Sequence, residues 1–119
     1  QFIMVNLLDL QETPPVVPGA PPDASADELM GLYMQYMYRE LVRRACHPVL
    51  FGDTVAAALD LVAAPGMERW DRVGLVRYRS RRDMLEIALN PAFEARHDYK
   101  IASLAKTIAV PIEPGLYLS

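Results

Sequence analysis

A few polar side chains in this chain stand where a small molecule could use them. His97 falls on the apolar stripe Phe93, His97, Ile101, Leu104. An imidazole there could move a proton as general acid or base, or serve more remotely as a haem ligand. The structural alternative is a histidine hydrogen-bonded to a backbone carbonyl or a tyrosine. Asn6 interrupts the apolar run Phe2 to Leu8. Its amide could hold a ligand carbonyl or an oxyanion, or it could bond a neighbouring loop, since buried polar groups need partners.

Arg77 shares the alternating pattern of Val73 and Leu75. Its guanidinium could clamp a carboxylate or an enolate, or ion-pair at an interface between subunits. Tyr33 and Tyr36 lie on one side of a helical stretch, with Tyr38 turned differently. A phenol could orient a ligand, or both could be core residues with a wet tip. Trp70 could stack on a ligand or anchor packing. The arginines 69, 72, 77, 79, 81 and 82 could attract an anion, or form a solvated rim balanced by Asp71, Asp83 and Glu86.

Stronger chemical signatures are missing. No glycine-rich phosphate loop occurs, and no Ser-His-Asp set that spacing would support. His47 and His97 are the only histidines, which argues against a multi-histidine metal site. No bound metal or cofactor is therefore expected. A net charge of −3 argues against sequence-independent nucleic-acid binding. No apolar run approaches a membrane span of about 20 residues. The single Cys46 has no intrachain partner and fits a reducing cytoplasm. The opening Gln1-Phe2-Ile3-Met4 lacks a signal-peptide pattern, and without an initiator Met it leaves room for an upstream piece.

The elements that must position these residues are legible. At 119 residues, 52% hydrophobic and 23% charged, the chain reads as one globular domain, residues 1–119. Phe2 to Leu8 reads as a strand buried on both faces. Residues 11–24 form a proline-rich loop, a partly mobile flap by composition. Ser25-Ala-Asp-Glu28 has the form of a capping box and opens a helix to about Ala45. Met30, Tyr33, Met34, Met37, Leu41 and Ala45 form its core stripe, with Arg39, Glu40, Arg43 and Arg44 mostly off it.

Val49 to Val55 reads as a second strand, with Gly52 as a bulge or close-approach site. The run 55–64 is ambiguous between helix, by its alanines, and a continued strand. Trp70 to Tyr78 is a third strand, with Val73, Leu75 and Arg77 on one face. Ser80-Arg-Arg-Asp83 starts a second helix, placing Met84, Ile87 and Ala88 inward. Asn90-Pro91 interrupts it, and it resumes to about Lys106. Thr107 to Ile112 is the last strand, at an edge or ending at Pro111. The tail, residues 113–119, contains Leu116-Tyr-Leu118, apolar enough to pack on a partner.

The order βαββαβ predicts an α+β, ferredoxin-like domain with two helices on one face of an antiparallel sheet. The other face is apolar and needs cover, and a two-fold homodimer is the commonest solution.

Val5-Asn-Leu-Leu8, Gly52, Trp70-Asp-Arg-Val73, Val76 to Arg81, Asn90-Pro91 and His97 resemble the dimeric α+β barrel superfamily. Within it they resemble the family catalogued as domain of unknown function thirteen-thirty. Antibiotic-biosynthesis monooxygenases, EthD-like proteins and muconolactone isomerases are its distant relatives. The resemblance spans nearly the whole chain and is sharpest from Trp70 to Leu104. Arg79 stands where the family pattern has proline, and both the proline-rich insert at 12–24 and the tail after Ile112 depart from it. The resemblance implies a dimer with facing sheets and a pocket between sheet and helices in each subunit, with no activity assigned.

Two functions are therefore expected. One is a cofactor-independent enzyme acting by oxygenation, isomerisation or proton transfer on a small apolar or aromatic ketone, phenol or lactone. His97 would move the proton, Asn6 and Arg77 would hold negative charge, and Tyr33 or Tyr36 would orient the ligand. The other is a non-catalytic dimeric module that binds a small ligand or only oligomerises. Convergence of His97 with Asn6 or Arg77 on one cavity separates the two.

Overall fold

The computed structural model describes residues 1–115. The apolar tail Leu116 to Leu118 lies outside them. The elements run β1 (Phe2–Leu10), α1 (Ala26–Val42), β2 (His47–Asp53), β3 (Arg72–Tyr78), α2 (Arg81–Ala88), α3 (Pro91–Ser103) and β4 (Leu104–Ile112). The strands form one antiparallel sheet in the order β2-β3-β1-β4, which is the expected α+β arrangement. The edge position of β4 explains how Pro111 is accommodated within it.

The helix boundaries follow local chemistry. The Ser25 hydroxyl accepts from the Glu28 N–H at 3.1 Å, while Glu28 Oε1 accepts from the Ser25 N–H. This closes the capping box that starts α1. The Ser80 hydroxyl accepts from the Asp83 N–H and starts α2. At Asn90-Pro91 the second helix divides completely. The Asn90 side chain caps a new helix through the Ala92 N–H, and Pro91 occupies its first turn. The helical layer therefore has three segments rather than two.

Strand register separates the sheet into two faces. Met4, Asn6 and Leu8 on β1 lie beside Val76, Gly74 and Arg72 on β3, and these positions face α1. The opposite face carries Val5 and Leu7, paired with Leu75 and Val73, and beyond them Val110, Ile108 and Leu50. Among the described residues no helix covers it, and Leu50, Val110 and Ile112 are exposed.

The main core lies between the sheet and α1, where Tyr33, Tyr36, Met37 and Leu41 meet Val76, Tyr78, Cys46 and Ile87. The proline-rich segment packs rather than standing away from the body. Val17 and Ala24 are buried against Leu29 and Ala102. Gly19 there has φ +90°, and a Cβ on it would come within 2.7 Å of the Tyr99 hydroxyl, so glycine meets both a backbone and a space requirement.

Several local expectations are corrected. Glu40 is buried rather than off the core stripe, because Arg44 pairs with it at 2.7 Å and Arg43 at 3.3 Å. The irregularity in β2 falls between Pro48 and Leu50, not at Gly52. The run 55–64 is neither helix nor strand. It forms an exposed connection held by the Thr54 N–H to the Asp71 carbonyl and the Ala58 N–H to the Glu68 carbonyl. A ten-residue helix with nothing to pack against is marginal in water. Ile101 is 59% exposed rather than inward.

Candidate functional site

A cavity of about 590 Å³ lies between the helix-facing side of the sheet and the helices. Its walls are mostly apolar. Met4 comes from β1, Met30, Met34 and Met37 from α1, Met84 from α2 and Phe93 from α3. Methionine suits such a wall because an unbranched thioether adapts to irregular shapes. The volume falls in the range typical of small-molecule sites.

A small number of polar groups interrupt the wall. Asn6 reaches it from β1, and both hydrogens of its amide nitrogen are engaged. Nδ2 donates to the Gly74 carbonyl at 3.1 Å and to the Met4 carbonyl at 3.3 Å. Two acceptor neighbours fix the amide orientation. The group left for a ligand is therefore the Oδ1 acceptor. An oxyanion or a ligand carbonyl needs a donor, so this geometry does not supply the expected role of Asn6 and leaves only an acceptor.

Tyr33 and Tyr78 also line the cavity. Burial pushes the Tyr78 phenol up to about 12, and raises Tyr33 strongly above the ordinary tyrosine value. Both are neutral hydroxyls at physiological pH. Arg72 lines the rim with both ends of its guanidinium occupied, by Asp53 at 2.9 Å and Asp27 at 3.0 Å. Those ion pairs tie β3 to β2 and to the first turn of α1 at the cavity edge.

Lys100 on α3 is the functional candidate that sequence reasoning missed. It lines the cavity with its Nζ 5.3 Å from the centre of the Tyr33 ring. Desolvation lowers its pKa below the ordinary lysine value. Among the described residues no carboxylate makes an ion pair with it. The signal was present in the spacing Phe93, His97, Lys100, Leu104, but a lysine on an apolar stripe reads as a solvated position.

The remaining candidates lie elsewhere. His97 does not line the cavity. It stacks on Phe93 with centroids 5.1 Å apart and meets the edge of Tyr33 at 6.4 Å. Arg77 is on the open sheet face, donating to the Ala45 carbonyl at 2.8 Å and to Gln1 Oε1 at 2.9 Å. Within one chain its partners are therefore neutral oxygens. Tyr36 is buried in the core and does not line the cavity, and its hydroxyl has no hydrogen-bond partner among the described residues.

Trp70 borders a separate, more polar groove of about 840 Å³ with Asp9, Arg69 and Asp71. The Lys106 ammonium sits 4.5 Å over its ring. The Asp9 carboxyl in that groove is raised, first by desolvation and then by its hydrogen bond and repulsion with Asp71. Of the six residues singled out, then, Asn6 and Tyr33 come together and the others do not.

Among the described residues no group of three or more His, Cys, Asp or Glu could hold a metal ion, and no helix is long and apolar enough to cross a membrane. No protein-family model and no curated protein matches the chain. Solved structures do. A protein of unknown function from Rhodopseudomonas palustris aligns with TM-score 0.74 at 20% identity, over 95% of this chain and 81% of that one. An uncharacterised NIPSNAP domain protein from Burkholderia xenovorans aligns with TM-score 0.61 at 9% identity, over 100% and 99%. A dimeric ferredoxin-like protein of unknown function from Jannaschia sp. CCS1 aligns with TM-score 0.50 at 12% identity, over 95% and 98%. At these identities the likeness is one of fold, and the chain has the ferredoxin-like α+β fold.

Proposed function

We propose that the protein is a homodimeric small-molecule-binding module whose ligand is largely apolar and sits between the sheet and α1. The observation that carries this reading is the methionine-walled cavity of about 590 Å³ with Asn6 and Lys100 on its lining. An apolar enclosure with a few fixed polar groups is the usual form of a small-molecule site. The ligand would place an O–H or N–H against Asn6 Oδ1 and bury its body against the methionines and Phe93.

The binding reading is favoured over the enzymatic one by where the candidates lie. His97 is stacked on Phe93 outside the cavity, and Arg77 faces the other side of the sheet. They do not converge with Asn6. An oxygenase- or isomerase-like activity would therefore have to use Lys100, Tyr33 or Tyr78 for proton transfer, not His97.

Dimerisation is supported by the uncovered apolar face of the sheet and by the dimeric neighbour from Jannaschia. The finer resemblance to the dimeric α+β barrels leads to the same assembly, with the two open faces in contact. A reducing cytoplasmic setting is in keeping with the buried, unpaired Cys46. Native mass spectrometry of the purified protein tests assembly and ligand together. A dimer carrying an extra small mass is the expected species. A bare monomer would remove the facing-sheet assembly, and a bare dimer that takes up no added apolar compound would remove the ligand.

A further inference from the structure

We infer that the cavity ligand is an apolar carboxylic acid whose carboxylate pairs with Lys100. This rests on the reading of the cavity as a ligand site and names the head group that site would take. Two cations line the cavity, and they differ in one respect. Arg72 is compensated twice, by Asp27 and Asp53. Lys100 makes no ion pair with any described residue, and its ammonium rests against the face of Tyr33. An isolated charge is costly to hold in an apolar enclosure unless a counter-charge arrives. A lysine stem is long enough to carry its ammonium out to water, yet here the Nζ stays over a cavity-lining ring.

The charge count selects the anion. One uncompensated positive charge matches a monoanion, which favours a carboxylate over a phosphate dianion. The carboxylate has two acceptor oxygens, and Tyr33, whose ring lies under the Lys100 ammonium, also lines the cavity. Its neutral phenol is a donor on the same wall. The methionine wall then takes the hydrocarbon, and Asn6 Oδ1, being an acceptor, is left for a hydroxyl or amide hydrogen along the body.

Octanoate and 1-octanol separate the charge from the hydrocarbon, since they share a chain length. Isothermal titration of both into the wild-type protein and into Lys100→Met gives the test. Octanoate is expected to bind the wild type at least ten-fold more tightly than 1-octanol, and Lys100→Met to lose that preference while still binding 1-octanol. The inference is overturned if 1-octanol binds the wild type as well as octanoate, a comparison that needs no variant, or if the preference survives in Lys100→Met. Binding of both without preference leaves the cavity reading standing and removes only the Lys100 pairing. Binding of neither removes both.

Discussion

The His97 imidazole stacks on the Phe93 ring, with centroids 5.1 Å apart and planes 29° from parallel. The ring is thus part of the packing between α3 and Tyr33, and it is not among the residues that line the cavity. His97→Ala should cost about 1 kcal/mol, the scale of one aromatic pair, and leave the affinity for an apolar ligand unchanged. Chemical denaturation and a binding titration on the same sample read the two effects. A large loss of affinity with unaltered stability would return His97 to the site.

Lys100 predicts a stability profile with a definite sign. Its folded pKa lies below its unfolded one. In the window between them the unfolded chain binds more protons, so stability rises with pH. Below that window the partly desolvated ammonium is a constant penalty. Lys100→Met should be the more stable protein at pH 7, and its advantage should shrink as pH climbs toward the ordinary lysine value. Above the ordinary tyrosine value both proteins should lose stability, because Tyr33 and Tyr78 are raised in the fold and the unfolded chain ionises first. The difference between the two melting curves isolates Lys100. A constant difference across alkaline pH would contradict its desolvation.

Leu75 stands at the centre of the uncovered face, paired with Val5 on one side and Leu50 on the other. Leu75→Glu places a charge in the middle of the contact proposed between facing sheets. Sedimentation velocity should show the dimer converting to monomer, with the folded circular dichroism spectrum retained. A dimer unaffected by this change would require a different interface.

Gly74 leaves room for an aromatic ring. A Cβ there would lie 2.6 Å from Phe51 Cε1, and Phe51 forms part of the cavity lining. Gly74→Ala should push the ring aside at a cost of roughly 1–3 kcal/mol, and should change ligand affinity because the wall moves. Differential scanning calorimetry and titration of the variant check both effects. Wild-type affinity alongside wild-type stability would show that the ring adjusts freely.

Much of this architecture was legible because it is local. Ser25 and Glu28 announce a helix by their spacing, Asn90-Pro91 announces a break, and the alternation of Val73, Leu75 and Arg77 places Arg77 on a named face. The site was less legible because it depends on phase and on pairing across the sheet. The new cap at Asn90 resets the helix, so Lys100 turns toward the cavity while Ile101 turns outward. The direction of the Asn6 amide depends on the Gly74 carbonyl, 68 residues away in sequence. No window of neighbouring residues carries that information. Glu40 was missed for the same reason, since its burial depends on the two arginines that close over it.

The distribution of methionine supplies the most direct measurement. Of the 6 methionines in the chain, Met4, Met30, Met34, Met37 and Met84 line the cavity, and Met67 does not. In a carbon-13 methionine-methyl NMR titration with 1-octanol, the signals of the cavity-lining residues should shift together and saturate, while that of Met67 stays in place. Methyl signals that do not move, or a Met67 signal that moves with the rest, would contradict a ligand site between the sheet and α1.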